Sequence, residues 1–442
     1  MVGLEIEMLP IDPSSPLAPG VPGIVKLQGP GRTSAAVLKD LATRQGWKTR
    51  TTDSGEGHTL LLDVGLDSED EITFEPGGQV EFSSKPYPCL GDAVRRMRDV
   101  QDKIDRAYEE RGLRMTQVGI NPWHTVAELG LEMPKPRYRA MDRYYAQIGP
   151  YGQRMMRQTC TVQVNLDFGP DEATLAKRYF ASLLLAPIAT ATFAFSPLVD
   201  RKLTGVPGFR SRVWRHVDPT HTGLPGLARL GETLTREACV ETYLDFALQA
   251  AVVFVEQANW RVPEQPVAFG DWLKTPLFGV RPTLADFKTH LSLLFSETRP
   301  RGFFEIRAID CQARAFQSVP AAYATGLLYE PRALDRLIQL LQPRLAELPA
   351  LLARSESGLS DPTLAALARQ VMDIAMDGFG RLSACYKSEG IASDLALFRE
   401  RFTEQERTPA DDVLDAVSRS GESFLTYDAL HALEQQWAEL KK

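Results

Sequence analysis

The feature of this sequence that most constrains its fold is a strict alternation of apolar and acidic side chains close to the N-terminus. Residues 3–8 read Gly-Leu-Glu-Ile-Glu-Met. Successive side chains of a β-strand point to opposite faces of a sheet, so a strand here carries Glu5 and Glu7 on one face and apolar side chains on the other. The pattern predicts an antiparallel sheet with one face packed on a core and one polar face.

Three later segments predict strands of the same two-faced kind. Residues 71–83 predict strand, turn and strand around a Pro-Gly-Gly sequence, with one glutamate on each side of the turn. Residues 302–310 predict a strand on which a glutamate and an arginine share one face. A long strand is predicted within 155–168, from residue 158 to residue 167. Its polar face consists of Thr159, Thr161, Gln163, Asn165 and Asp167.

The polar faces of these strands are rich in carboxylates. Such like charges repel one another at cross-strand distances. One interpretation is a solvated sheet face. The other is a site for Mg²⁺ or Mn²⁺, which prefer oxygen ligands and bridge nucleotide phosphates. Arg307 would suit a phosphate oxygen through its forked donors, or it would pair with a neighbouring carboxylate. The carboxylates concerned are Glu5, Glu7, Glu75, Glu81 and Glu305.

The rest of the sequence predicts mainly helices. A further strand is predicted over 59–66, and helices over 34–46, 90–112, 175–195 and 237–257. From about residue 320 onward nearly every segment favours helix, with breaks near Gly358, Gly380, Gly390 and Pro409. Strands concentrated early and helices concentrated late indicate the α+β class. We expect a single catalytic domain over 1–442, with a sheet-containing core over 1–315 and a helical C-terminal part over 316–442.

Composition excludes several classes of protein. The 442 residues carry a formal net charge of −7, which disfavours nucleic-acid binding. The uncharged segment 179–199 contains several polar residues and prolines, so we expect a buried helix and no membrane association. Five scattered cysteines without a CxxC pair indicate a reducing compartment. No signal sequence is recognisable, and we therefore expect a cytoplasmic protein.

Several motifs, taken in order, resemble those of one enzyme family. Residues 155–168 are similar to the signature strand of plant-type and proteobacterial glutamate–cysteine ligases. Residues 75–83 resemble the family's EPGGQ-x-E-x-S motif, residues 3–7 its G-x-E-x-E strand, and residues 304–310 its late L-E-x-R-x-x-D strand. The resemblance covers roughly residues 3–330, and the helical C-terminal part fits the family more loosely.

The resemblance implies a fold and a reaction. The fold would be like the catalytic core of glutamine synthetase and the guanidino kinases, in which a curved, mainly antiparallel sheet forms a funnel surrounded by helices. The reaction would join the γ-carboxylate of L-glutamate to the amine of L-cysteine through a γ-glutamyl phosphate, consuming ATP. The five glutamates would bind Mg²⁺ or Mn²⁺, with Glu305 and Arg307 at the centre of phosphoryl transfer.

The resemblance also implies residues that contact the substrates. Arg137 and Arg210 would bind substrate carboxylates, most simply that of cysteine, although an arginine is also a common surface residue. Gln163 and Asn165 would lie in the funnel and bind substrate or nucleotide, or would form a structural amide ladder. Tyr243 is a further candidate for the substrate site.

Two other functions remain open at this point. A carboxylate–amine ligase of the same superfamily could use another amine as acceptor, and an acceptor without a carboxylate would not need both Arg137 and Arg210. A catalytically silent binding protein could keep the fold, but the presence of all five carboxylates argues against it. The product of the favoured reaction would begin glutathione synthesis or an ergothioneine-type pathway.

Overall fold

The computed structural model describes residues 1–53, 59–66 and 69–441. Its centre is a sheet of mostly short strands that contains β1–β8, β13 and β14. All the strand pairings of this sheet are antiparallel. The strands in chain order are β1 (Val2–Asp12), β2 (Gly23–Ile24), β3 (Lys48–Asp53), β4 (Thr59–Gly65), β5 (Glu71–Phe74), β6 (Val80–Ser83), β7 (Arg114–Thr116), β8 (Val162–Leu166), β9 (Leu198–Val199), β10 (Lys202–Leu203), β11 (Thr222–Gly223), β12 (Phe295–Ser296), β13 (Thr298–Pro300) and β14 (Phe304–Ile306).

Helices cover the apolar side of this sheet and form the last quarter of the chain. They are α1 (Ser34–Gln45), α2 (Leu90–Glu109), α3 (Val126–Leu129), α4 (Pro136–Ile148), α5 (Tyr151–Gln158), α6 (Glu172–Thr192), α7 (Phe209–Arg215), α8 (Leu227–Glu232), α9 (Arg236–Gln249), α10 (Phe269–Lys274), α11 (Leu284–Leu291), α12 (Val319–Leu328), α13 (Pro331–Leu341), α14 (Leu348–Arg354), α15 (Pro362–Arg381), α16 (Ile391–Phe398), α17 (Pro409–Ser420) and α18 (Tyr427–Glu439). The combination of a large antiparallel sheet with these helices confirms the predicted α+β class.

Strand register brings the predicted acidic side chains onto one face. The strand order is β13-β14-β8-β1-β6-β5-β4-β3. Glu7 of β1 lies opposite Glu81 of β6, and Glu305 of β14 lies opposite Asn165 of β8. Residues that are direct partners in adjacent strands project to the same side of a sheet. The alternation seen in residues 3–8 therefore continues across four neighbouring strands.

The opposite face of the sheet belongs to a continuous apolar core. Leu4, Ile6 and Met8 of β1 are fully buried there, and the same cluster of contacting side chains extends to Trp437 of α18. Burial of such side chains is the main favourable contribution to folding. Because the core joins the sheet to the C-terminal helices, it supports the single-domain organisation, which stays a prediction.

Two predicted strands are much shorter than expected. Residue 158 ends helix α5, and the regular part of the third strand is limited to Val162–Leu166. The intervening segment is held by isolated bonds, such as that from the Cys160 amide to the Gly119 carbonyl. In the fourth strand only Phe304–Ile306 is regular, because the Arg307 amide turns to the carbonyl of Glu297.

The end of one helix also differs clearly from the prediction. The helix expected over 237–257 ends at Gln249, since residues 250–255 are extended and the Val252 amide donates to the Val267 carbonyl. The β-branched residues of this segment favour that conformation. The predicted break near Gly380 is confirmed, because α15 ends at Arg381. The uncharged segment 179–199 is buried as expected within and after α6, and none of the described helices has the length and apolarity required to cross a bilayer.

Candidate active site

The acidic face of the sheet forms the floor of a polar cavity of about 320 Å³. Side chains from β1, β6, β8 and the β13–β14 hairpin meet there with side chains of α4, α5 and α7. The lining residues are Glu5, Glu7, Glu75, Pro76, Glu81, Arg137, Tyr138, Met141, Met155, Met156, Thr159, Thr161, Gln163, Trp214, Ser292, Phe295, Arg299, Arg301 and Arg307. A pocket of this size, with a few convergent charged groups, is typical of a small-molecule site.

Three of the predicted carboxylates converge closely in this cavity. Glu7, Glu75 and Glu81 each place one carboxylate oxygen within 4.8 Å of the others. Glu7 accepts a hydrogen bond from the Thr161 amide at 2.6 Å, and Glu81 accepts one from the Thr73 hydroxyl at 2.5 Å. These bonds fix two of the three carboxylates. The arrangement provides at least three oxygen ligands that face a common point.

The Pro-Gly-Gly turn between β5 and β6 explains how Glu75 reaches this point. A Cβ atom on Gly77 would lie 2.3 Å from the Arg157 carbonyl oxygen, so only glycine permits the contact between this turn and helix α5. Gly78 has a φ of 89°, which glycine adopts without strain. The two glycines thus position Glu75 and Glu81 on either side of a tight turn.

The electrostatics of the cluster favour a bound cation. Burial, together with the neighbouring carboxylates, raises the pKa of Glu5 to about 8 and that of Glu81 to about 7. The pKa values of Glu7 and Glu75 are also raised, chiefly by burial. Buried like charges are costly unless they are protonated or neutralised. A hard divalent cation such as Mg²⁺ would neutralise them, and the all-oxygen ligand set fits that ion.

Glu305 occupies a different environment from the other four glutamates. Its oxygens accept from Arg299 Nε at 2.6 Å, from Arg301 Nη1 at 3.0 Å and from Arg307 Nη1 at 2.7 Å. Burial alone would raise the pKa of Glu305, but Arg307 and Arg299 lower it below its usual value. The described structure therefore shows Glu305 as an anchor for arginines; its predicted role as a metal ligand stays a prediction.

Arg299 and Arg301 are cavity residues that sequence reasoning missed. They lie two positions apart on the hairpin that carries Glu305 and Arg307, so they share its polar face. The period-two spacing of Arg299, Arg301, Glu305 and Arg307 across the Gly302 turn was the signal that could have identified them. Trp214 also lines the cavity, with the Arg307 guanidinium 5.4 Å from its ring centre.

The predicted amide side chains lie beside the carboxylates. Gln163 accepts from Arg307 Nη1 at 2.7 Å, which places it between Arg307 and Glu7. Asn165 donates to Glu5 at 2.8 Å, and its own carbonyl oxygen has no hydrogen-bond partner among the described residues. Arg137 lines the cavity from α4, with one weak bond to the Ser292 carbonyl at 3.4 Å. Arg137 and Gln163 line the cavity, where a substrate could reach them, whereas Asn165 lies buried behind Glu5 and does not line it.

Arg210 and Tyr243, which were also predicted to bind substrate, do not line this cavity. Arg210 is fully buried, and its Nε donates to Asp310 at 2.7 Å. It does not line the cavity, so direct contact with a substrate carboxylate does not fit this geometry, and we assign it a structural role. Tyr243 lies on α9 against a second, apolar cavity formed in part by α11 and Phe304. Position along the chain did not reveal either outcome, because both depend on how helices pack behind the sheet.

Comparison with known proteins decides the family. The model of glutamate–cysteine ligase family 2 matches residues 1–423. The chain belongs to this family. It is similar to the chloroplastic glutamate–cysteine ligase of Medicago truncatula, with 32% identity over 344 residues that cover 75% of this chain and 66% of the relative. It is also similar to the chloroplastic enzyme of Nicotiana tabacum, with 30% identity over 86% of this chain and 71% of the relative.

A solved structure supports the fold of this family member. The glutamate–cysteine ligase of Francisella tularensis, crystallised in complex with AMP, superimposes with a TM-score of 0.56 over 99% of this chain and 88% of that chain. The two share 12% sequence identity, so the likeness concerns the fold. The motifs that resemble the family in the sequence thus lie in an architecture that this solved ligase also has.

The expected cytoplasmic location of this family member is wrong. The finding that overturns this expectation is that the similar curated plant relatives are named as chloroplastic enzymes. Scattered cysteines indicate a reducing environment, and that property does not distinguish one reducing compartment from another.

Proposed function

We propose that this protein is an ATP-dependent ligase that joins the γ-carboxylate of L-glutamate to the amine of L-cysteine. The products would be γ-glutamylcysteine, ADP and phosphate, with a γ-glutamyl phosphate as intermediate. The observation that carries the proposal is a single cavity in which three convergent carboxylates face an arginine cluster, in a member of the glutamate–cysteine ligase family. The product would serve glutathione synthesis; an ergothioneine-type pathway remains a less direct alternative.

Glu7, Glu75 and Glu81 would hold Mg²⁺ or Mn²⁺ in this proposal. Such an ion, when bound, neutralises phosphate charge and orients the transferring phosphoryl group. Glu5 lies next to this trio on β1 and is close enough to Glu81 and Glu305 for these carboxylates to raise its pKa. It would serve a second cation or the nucleotide side of the site, together with the unpaired oxygen of Asn165.

Arg307 would stabilise the charge that develops during phosphoryl transfer. It is held in place by Glu305 and Gln163, while its Nε has no hydrogen-bond partner among the described residues. A positioned donor that meets developing negative charge lowers the barrier without reorganisation. Arg299 and Arg301 would add further positive charge from the same hairpin, and Glu305 would keep the arginines apart and oriented.

The amino-acid substrates would occupy the remaining part of the cavity. Arg137 would bind a substrate carboxylate, since it is only weakly engaged within the protein. Tyr138, Met141, Trp214 and Phe295 supply an apolar wall. Such a wall limits access of water, which would otherwise hydrolyse an acyl phosphate before the amine attacks.

A second candidate function has one observation in its favour. Because Arg210 pairs with Asp310 inside the protein, only Arg137 of the two predicted carboxylate-binding arginines lines the cavity. One arginine is sufficient for a single α-carboxylate, so an amine acceptor that lacks a carboxylate fits the same cavity. The second candidate is therefore a γ-glutamyl ligase for a simple amine.

The experiment that tests the proposal measures ADP release with ATP, Mg²⁺, glutamate and a panel of acceptors. The panel contains cysteine, cysteamine and 2-aminobutyrate, so that the carboxylate and the thiol are removed separately. Glutamate labelled with ¹⁸O in the γ-carboxylate should transfer one label to phosphate if a γ-glutamyl phosphate forms. Preference for cysteamine would favour the second candidate, and absence of label in phosphate would contradict the intermediate.

A further inference from the structure

Trp214 lies at the wall of the candidate active site, where it contacts two buried arginines. It belongs to α7, is 4% exposed and lines the polar cavity. The guanidinium carbons of Arg210 and Arg307 are each 5.4 Å from the centre of its ring. A guanidinium within about 6 Å of an indole centre is attracted by the negative face of the ring. Trp214 is therefore in electrostatic contact both with an arginine that lines the cavity and with one that lies behind it.

The protein fixes the orientation of this ring. Its Nε1 donates to the Phe295 carbonyl at 2.9 Å, and the Phe295 ring meets it edge-on, with the ring centres 5.7 Å apart. Helix α7 is itself held by Glu356, which accepts hydrogen bonds from Arg212 and Arg215. The ring is thus a fixed surface against which a long arginine side chain can rest.

The hydrogen bonds of Arg307 leave part of its guanidinium unsupported. Its Nη1 donates both to Glu305 and to Gln163, each at 2.7 Å. Its Nε is buried without a hydrogen-bond partner among the described residues. Because the guanidinium is planar and rigid, bonds through one nitrogen hold that nitrogen but leave the plane free to tilt. Contact with the Trp214 ring restricts this tilt, since a ring face also attracts N–H groups that have no oxygen acceptor.

Arg210 reinforces the same contact from behind the cavity. Its Nε donates to Asp310 at 2.7 Å, and its Nη2 donates to the main-chain carbonyl of Arg307 at 3.3 Å. Its Nη1 is buried and, like the Nε of Arg307, lacks an acceptor among the described residues. Arg210 therefore links the Trp214 ring to the backbone of Arg307.

An aromatic ring holds an arginine differently from a carboxylate. A carboxylate neutralises the guanidinium charge and occupies its N–H donors, and Glu305 already accepts hydrogen bonds from three arginines. An aromatic face attracts the cation and leaves its net charge unchanged. A positive charge that remains available is what stabilises a phosphoryl group as negative charge develops on it.

We propose that Trp214 is a positioning residue for Arg307: its ring holds the guanidinium by cation–π attraction, so that Arg307 keeps its full charge directed at the transferring phosphoryl group. The contact itself is independent of the reaction. Its effect on catalysis rests on the proposed function, because it assumes phosphoryl transfer in this cavity.

The contact is tested by heteronuclear NMR on the full chain labelled with ¹⁵N-arginine. The Nε–Hε resonance of Arg307 is assigned by its loss in Arg307→Lys. A proton over the face of an aromatic ring is shifted upfield, so this resonance should lie upfield of those of exposed arginines and should move downfield in Trp214→Leu.

Trp272→Leu is the matched control for this measurement. It removes a similarly buried indole whose Nε1 also donates to a carbonyl, that of Val280 at 2.8 Å, and it should leave the Arg307 resonance in place. A resonance that stays unchanged in Trp214→Leu, or that moves equally in both variants, would overturn the contact.

Fluorinated tryptophan weakens the contact with little change in the shape of the ring. Each fluorine withdraws electrons from the ring face, so a series from 5-fluoro- to 4,5,6,7-tetrafluorotryptophan lowers the attraction stepwise. The chain has six tryptophans, and all are replaced together. The Arg307 resonance should move stepwise along the series, and kcat should fall by about three- to thirtyfold at its end. In Trp214→Phe, fluorination of the remaining tryptophans should change neither.

The KM values separate positioning of Arg307 from direct contact with a substrate. Arg307 would act on charge that develops only in the transition state, so fluorination should lower kcat and leave the KM values of ATP, glutamate and cysteine within about twofold. A KM that rises for one substrate alone would mean that the ring binds that substrate, which contradicts the proposal. An unchanged kcat with a moving Arg307 resonance would overturn the role in catalysis. If the unmodified chain has no ligase activity while the resonance behaves as expected, the proposed function fails and the contact stands.

Discussion

At the scale of single residues, the site is defined by buried carboxylates that the protein neutralises in two different ways. Glu305 is neutralised by arginines, which lower its pKa. An arginine is not the main contact of Glu7, Glu75 or Glu81. Burial raises the pKa values of these three carboxyl groups. Strand periodicity predicted the face on which Glu7, Glu81 and Glu305 lie, whereas Glu75 follows the end of β5 and is placed by the turn. Periodicity could not predict which carboxylates would pair with arginine.

Glu81→Gln should separate metal binding from folding. Removing one negative charge from the trio relieves repulsion in the metal-free protein, so thermal stability without Mg²⁺ should stay the same or rise. Stabilisation by added Mg²⁺ should fall, and kcat should drop by roughly 10²-fold or more, as for loss of a group that stabilises transition-state charge. Glu110→Gln, an exposed carboxylate, is the control. Unchanged Mg²⁺ stabilisation in Glu81→Gln would show that the trio does not bind the metal.

Arg210→Ala should lower the stability of the protein and should not selectively weaken the binding of one substrate. The Arg210–Asp310 pair is buried, and removal of one partner of such a pair costs about 3–5 kcal/mol. We expect a lower urea midpoint, together with similar proportional changes in the KM values of ATP, glutamate and cysteine. Steady-state titrations and urea unfolding on the same variant provide the measurement. A normal midpoint with a raised KM for cysteine alone would restore Arg210 as a substrate-binding residue.

For the secondary-structure elements, the sequence predicted which face of a strand carries polar side chains better than it predicted where each strand ends. The two-faced character of β1, β6, β8 and β14 was correct, since it follows from local periodicity. The ends of β8 and β14 were not, because they depend on distant partners such as the Gly119 and Glu297 carbonyls. Arg299 and Arg301 were missed although their period-two spacing with Glu305 and Arg307 was a local signal, because the pairing of β13 with β14 was not predicted.

Gly77→Ala tests how the turn between β5 and β6 is held. The added Cβ would meet the Arg157 carbonyl oxygen at 2.3 Å, so the turn must move away from α5. We expect destabilisation by about 1–3 kcal/mol, as for other overpacked sites, and loss of Mg²⁺ stabilisation because Glu75 moves with the turn. Gly380→Ala is the matched control: it lies in a helix with open space around it, and should stabilise by about 0.5–1 kcal/mol. Equal stability of both variants would contradict this account of the turn.

His290, on helix α11, should contribute to the pH dependence of the protein's stability. Burial lowers the pKa of His290 to about 4, below its usual value near 6.5. Between these values the unfolded chain binds a proton that folded His290 does not, so this contribution to stability falls as the pH falls. The slope is at most about 1.4 kcal/mol per pH unit. His290→Phe should unfold with a shallower pH dependence between pH 6.5 and pH 4, measured by urea titration. An identical dependence would show that His290 does not titrate on unfolding.

At the scale of the whole molecule, the polar face of one sheet carries the candidate chemistry and its apolar face carries the stability. The core that runs from β1 to α18 anchors the strands whose other side holds the carboxylates. This division allows charged, mutually repelling residues to be kept in place by apolar burial elsewhere. Fold class and the acidic face were predictable from sequence for that reason. The cellular compartment was not, because the pattern of apolar and polar residues that determines the core does not determine where the protein is located.

The proposed function is the coupling, in this cavity, of ATP consumption to amide-bond formation between glutamate and cysteine. Its most direct test is mass spectrometry of a reaction that contains ATP, Mg²⁺, L-glutamate and L-cysteine, with ADP measured in the same sample. We predict γ-glutamylcysteine and ADP in a one-to-one ratio, and neither product when excess chelator is added. ADP without γ-glutamylcysteine, or full turnover in metal-free buffer, would contradict the claim.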